Sequence, residues 1–218
     1  MLVGRQGIFT GTFELVAYEL FFRAPGRLGL RVDLWNQTQQ DRATDHVIAA
    51  AFREGADIAP NHPVSINFTR SYLVGRRELH CDPAKVIVEV VESAFADESL
   101  RQSLTELKAQ GFRIALDDFV GTRSQMDLLA LAEFVKVDYR DLKARGSELV
   151  ELAREGGATL VAERIENRAA LAECVDLGFD YFQGYAFEPA ILVDRGGAPV
   201  DGAAPVDTPE GAAEVGGT

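Results

Sequence analysis

A chain of 218 residues suits one sizeable domain or two small ones. Its 22 Lys and Arg against 34 Asp and Glu leave a net charge of −12, which argues against a general DNA or RNA binder. A hydrophobic content of 47% is globular and excludes disorder over most of the length.

No apolar run reaches the roughly 18–20 residues of a membrane span. Arg5 and Gln6 break the apolar stretch that a signal peptide would need. Cys81 and Cys174 are far apart and have no CxxC partner, so neither a zinc cluster nor a disulfide scaffold is expected. The expectation is a soluble, reduced, cytoplasmic protein.

In chain order, two hairpin-like runs come first, around Arg5–Phe9 and Phe13–Phe22, joined by Thr10-Gly11-Thr12. A link that short forces an antiparallel pair. Further apolar runs follow at 64–68 (VSINF), 86–91 (VIVEVV), 113–119 (RIALDDF), 134–138 (FVKVD), 158–165 (ATLVAERI) and 181–187 (YFQGYAF). Helix-periodic segments such as Ser99–Gln110 and Asn167–Leu177 separate them. The alternation predicts an α/β fold with a mostly parallel sheet. Eight strands suggest a closed TIM-like (β/α)8 barrel with one antiparallel strand near the N-terminus, in a domain over 1–195. An open doubly wound sheet is the alternative, although no glycine-rich phosphate loop supports it. From Gly196 to Thr218 the composition is Gly, Ala, Pro, Val and acids, which predicts a disordered tail.

Polar residues interrupt the apolar runs near their C-terminal ends. They are Glu19, Asn67, Glu89, Asp117 with Asp118, Lys136 with Asp138, Glu163 with Glu166, and Gln183. The steps from Glu19 through Asn67, Glu89, Asp117, Lys136 and Glu163 to Gln183 are 48, 22, 28, 19, 27 and 20 residues. Steps near 20–28 are one βα unit each, so these residues fall at one level of successive strands. Isolated buried carboxylates are costly, and so many are tolerated only where they share compensation. The donors are hard oxygens with no His or Cys, which selects Mg²⁺ or Mn²⁺. Their number makes two metals per site plausible, a device for in-line phosphoryl displacement. Taken singly, each has a plainer reading: Asp117-Asp118 as a solvated turn, Glu89 on an edge strand, Lys136 at the surface, Asn67 as a cap. His46, His62 and His80 carry no assigned chemistry.

At these residues the chain resembles the EAL-domain family of cyclic di-GMP phosphodiesterases, over about residues 5–193. VAYELFFR is similar to the signature strand, VSINFT to the asparagine strand and VEVVES to the LEITES segment. IALDDF, KVD, LVAERIE and LGFDYFQGYAF resemble the aspartate-pair, KID, LVAEGVE and QGY segments. YELFFR, INFT and ALDDFV bring it nearest the branch whose EAL domain often precedes an HDOD domain. The resemblance implies the reversed-strand barrel, hydrolysis of cyclic di-GMP to linear pGpG, and a homodimer. It implies that Glu19, Asn67, Glu89 and Asp117 hold a first metal and Asp117, Asp118 and Glu163 a second. It implies that Lys136 sits beside the attacking water, that Asp138 orients it or a water, and that Glu92 holds the loop after the aspartate pair. Glu166 and Gln183 complete the site, and Gln6 and Arg23 contact the dinucleotide.

The chain departs from the family pattern at three places. Glu19-Leu20-Phe21 replaces Glu-Ala-Leu, Phe119-Val120-Gly121-Thr122-Arg123 follows the aspartate pair where the pattern is DDFGTG, and Gly7 stands where proline is usual. The altered loop leaves a second class open: a catalytically inactive cyclic di-GMP receptor or protein-interaction module on the same barrel. An enzyme for another phosphodiester is a third.

Overall fold

The structure, a computed structural model, describes residues 2–23, 35–52, 58–75, 79 and 81–194. The tail expected over 196–218 and His80 lie outside the described residues. Strands β1 (Val3–Thr10) and β2 (Leu15–Phe22) open the chain as an antiparallel hairpin, as the short link requires. Six βα-type strands follow: β3 (Val64–Phe68), β4 (Val86–Val90), β5 (Arg113–Leu116), β6 (Phe134–Asp138), β7 (Thr159–Glu163) and β8 (Tyr181–Phe182). Neighbours from β2 to β8 pair in parallel, and β1 lies antiparallel between β2 and β8, which closes the barrel.

A ninth strand, β9 (Ile191–Val193), lies outside the eight expected runs although its residues are all apolar. It pairs antiparallel with β1 through Val3, Gly4 and Arg5, while β8 pairs with the other end of β1 at Phe9 and Thr10. The run expected as a strand over 181–187 therefore breaks after two residues. Gly184 has φ +151, and a Cβ there would lie 2.3 Å from the Ile165 amide nitrogen. Only glycine lets this backbone cross the end of β7 so closely.

Helices cover the outside: α1 (Gln37–Phe52), α2 (Arg70–Val74), α3 (Glu98–Ala109), α4 (Arg123–Leu128), α5 (Tyr139–Arg145), α6 (Ser147–Arg154) and α7 (Arg168–Asp176). Several start on a side-chain cap: Thr69 for α2, Asp97 for α3, Asp138 for α5 and Asn167 for α7. Each cap takes up backbone N–H groups that the first turn leaves without partners. The main core lies between the barrel wall and these helices, with Leu20, Phe68, Leu100, Leu104, Leu149 and Phe182 buried in it.

Inside the barrel is a second, smaller cluster: Ile8, Ala17, Ile87, Ala115 and Val161. Side chains alternate along a strand, so the residue two positions on lines the same interior. For Ala17, Ile87, Ala115 and Val161 those residues are Glu19, Glu89, Asp117 and Glu163. One register thus gives the barrel an apolar plug with a polar layer above it, at the C-terminal mouth.

Candidate active site

Lys136 stands at the centre of the polar layer, with its side chain only 3% exposed. Its Nζ lies 2.5 Å from Glu89 Oε1, 2.8 Å from Glu163 Oε1, 3.3 Å from Glu19 Oε2 and 3.4 Å from Asp117 Oδ1. Strands β2, β4 and β7 and the end of β5 therefore each deliver a carboxylate to one ammonium. Burial by itself favours the neutral amine, but Asp117, Glu163, Glu19 and Glu89 hold the Lys136 pKa well above its ordinary value. One cation does not balance four acids. Burial, opposed by Lys136 and aided by the neighbouring acids, drives Glu89 well up and Glu163 to about 8.

Around this ring the amides form a frame. Gln183 Nε2 donates to Glu19 Oε2 at 2.7 Å and to Gln6 Oε1 at 3.1 Å. Asn67 Nδ2 donates to Glu19 Oε1 at 3.5 Å. Asn67 Oδ1 is buried with no hydrogen-bond partner among the described residues. A buried acceptor without a donor is expensive, and a hard cation satisfies it. The orphan oxygen and the surplus of carboxylates fit a divalent metal.

A second group forms at the end of β5. One carboxylate oxygen each of Glu92, Asp117 and Asp118 lie within 4.8 Å of one another. Asp118 sits in a left-handed turn at φ 41, and burial together with Asp117 pushes its pKa to about 6. Glu92, expected to hold the following loop, has a carboxylate oxygen in this group beside the aspartate pair. The loop is held by Gln125, which the sequence reading missed. Its Nε2 donates to the carbonyls of Asp117 and Asp118 at 3.3 and 3.0 Å, and its Oε1 accepts from the amides of Val120 and Thr122 at 3.0 and 3.1 Å. Thr122 and Gln125 also form the capping box of α4. The Thr-x-x-Gln spacing before a helix is the signal that could have found it.

The remaining candidates divide. Ser65, unforeseen, donates its hydroxyl to Glu89 Oε2 from a buried position on β3. Asp138 is buried, but its carboxylate receives Arg140 and Arg164 and makes no hydrogen bond or ion pair with Lys136. Its expected role of orienting Lys136 or a water is a proposal beside these arginine contacts. Glu166 is exposed on the turn after β7, outside the ring. Arg23 lies just past the mouth end of β2, with its guanidinium 4.9 Å from the Phe21 ring centroid.

A family model for the EAL domain matches residues 32–190. The chain belongs to the EAL domain family. Among curated relatives, this EAL domain is 29% identical over 202 residues to the cyclic di-GMP phosphodiesterase CdgJ of Vibrio cholerae, covering 88% of the chain and 45% of that protein. It is 27% identical over 201 residues to the Bacillus subtilis protein YuxH, covering 88% of the chain and 48% of YuxH. The chain thus spans about half the length of these relatives. Among solved structures it resembles Klebsiella pneumoniae BlrP1 in complex with calcium and cyclic di-GMP, with a TM-score of 0.70 at 22% identity, over 87% of this chain and 55% of that one. At that identity the likeness speaks for the fold, a TIM-like barrel. No described helix of the EAL domain is long and apolar enough to cross a membrane.

Proposed function

We propose that this EAL domain hydrolyses cyclic di-GMP to linear pGpG with divalent metal ions, Mg²⁺ or Mn²⁺, two per site. The observation that carries this reading is the ring of four carboxylates on Lys136 beside the orphaned Asn67 Oδ1. Glu19, Asn67, Glu89 and Asp117 would hold one ion, and Asp117, Asp118 and Glu163 the other, with Glu92 in reach of the second group. When bound, such ions activate water near neutral pH and neutralise charge on a phosphoryl group. The chain's own part is positioning. Lys136 keeps a proton and a positive charge at the floor of the site, where the phosphoryl group gains negative charge. Ser65 and Gln183 hold Glu89 and Glu19 in place, and Gln6 and Arg23 are assigned to the dinucleotide. An arginine suits that task because its planar fork matches phosphate and guanine edges.

The motifs YELFFR and ALDDFV support placement in the branch of the family associated with HDOD domains. We also propose a homodimer, a cytoplasmic setting and no nucleic-acid partner, the last supported by the net charge of −12. Phe119-Val120 after the aspartate pair favours one other reading, a receptor that binds cyclic di-GMP without cutting it. A hydrolysis assay with Mn²⁺ or Mg²⁺, following pGpG by chromatography, separates the two. The wild type should form pGpG, and Glu89→Ala should lower the rate at least about a hundredfold, the scale of losing one electrostatic group at a transition state. Binding without turnover in the wild type would establish the receptor. Neither binding nor turnover would remove cyclic di-GMP as the ligand.

A further inference from the structure

One buried carboxylate at the mouth holds two arginines. Asp138 Oδ2 receives Arg140 Nη2 at 2.6 Å and lies 2.7 Å from Arg164 Nε. A single guanidinium would balance Asp138, and two like charges on one oxygen repel each other. Arg164 is also one of the few non-glycine residues at positive φ, at 55°, a conformation that strains an L side chain. Strain of this kind at the rim of a site is an observation that asks for a function. The strained backbone aims a cation rather than a glycine at the carboxylate next to Glu163.

The Arg140 and Arg164 side chains are 61% and 49% exposed. Among the described residues, no hydrogen bond or ion pair engages Arg164 Nη1 or Nη2. Asp138 lies opposite Glu163 in the β6–β7 register and Arg164 directly follows Glu163, so the two forks stand next to Glu163 but outside the carboxylate ring on Lys136.

We propose that Arg140 and Arg164, held together on Asp138, form the seat for the phosphate that hydrolysis creates, the terminal 5′-phosphate of the linear dinucleotide. This rests on the phosphodiesterase reading. In that reaction a water oxygen forms a bond to phosphorus and the bond from phosphorus to O3′ breaks. One proton of the water ends on O3′, and the other passes to solvent as the monoester ionises. A diester carrying one negative charge becomes a monoester carrying nearly two at neutral pH. The added charge needs a partner that does not consume the metal-fitting oxygens, and a guanidinium pair supplies it with directed N–H donors.

Calorimetric titration of the 218-residue chain with pGpG and with GpG, at fixed Mn²⁺, tests the seat. The wild type should prefer pGpG. Arg164→Gly should cut that preference about tenfold while leaving GpG affinity in place, as expected for loss of a charge-assisted pair. Arg140→Ala should cut it too, and Arg164→Lys should restore part of it. Glycine is at home at φ 55, so Arg164→Gly should melt no lower than the wild type. An unchanged preference in Arg164→Gly, or an equal loss for GpG, overturns the seat while wild-type hydrolysis of cyclic di-GMP still stands. A wild type that binds neither linear dinucleotide and cuts no cyclic di-GMP overturns both.

Discussion

Lys136 joins the stability of the barrel to its chemistry. Among the described residues, the ammonium is the one cation inside a ring of Glu19, Glu89, Asp117 and Glu163. Replacing it with Met keeps the volume and removes the charge, leaving four acids facing one another. Breaking a buried pair in this way costs about 3–5 kcal/mol, because an uncompensated charge stays behind. Urea unfolding of metal-free Lys136→Met should show a loss of that size. Added Mn²⁺ should recover part of it by neutralising the same oxygens, and a variant as stable as the wild type without metal would refute the account. Most of this ring was legible at residue level, because acids interrupting apolar runs are costly and so announce themselves. Ser65 was not legible. A serine in VSINF costs little wherever it points, and only the β3–β4 register, with Ser65 opposite Ile87 and Asn67 opposite Glu89, brings its hydroxyl to Glu89.

At the scale of elements, the turn after β5 is the decisive segment. The apolar run predicts a strand through Phe119, yet β5 stops at Leu116 and Asp118 turns left-handed. Gln125 takes over there, bridging two carbonyls and two amides of the turn from inside the first turn of α4. Arg145 adds a further donor to the Val120 carbonyl. Gln125→Ala leaves several backbone groups without partners, at about 1–3 kcal/mol for a buried group. The expected outcome is a cooperatively folded protein of lower stability, with faster amide exchange confined to residues 118–122. Exchange unchanged in that window would mean the loop is held by something else. Helix positions were the easier part: Ser99–Gln110 and Asn167–Leu177 were expected, and α3 and α7 occupy Glu98–Ala109 and Arg168–Asp176. The small shifts follow from Asp97 and Asn167 acting as caps, which sets the start of a helix more sharply than periodicity does.

Over the whole molecule, burial also governs the two cysteines. Burial, with help from Glu173, raises the Cys174 thiol to about 12, and burial with help from Asp82 raises Cys81 to about 11. Raised values favour the inert thiol below them, so reactivity should appear only as pH climbs toward these values. At pH 8 a thiol near 12 is about one ten-thousandth thiolate, and the thiolate is the nucleophile. A disulfide-exchange reagent at pH 8 should therefore label the native protein slowly and both cysteines promptly in denaturant. Fast labelling of native Cys174 would show that α7 opens readily. The sequence by itself determined the alternation of strands and helices, the antiparallel start, and the level at which the polar residues sit. Those are local or periodic properties, and a period of two along a strand carries them. Tertiary structure alone decided what each polar group meets: Lys136 central to four acids, Asp138 turned to Arg164 as well as to Arg140, and β9 sharing β1 with β8. Lys136 and its acids, Asp138 and Arg164, and β1 and β9 are about twenty residues or more apart along the chain. Barrel closure and register bring them together, and neither is visible in any single segment.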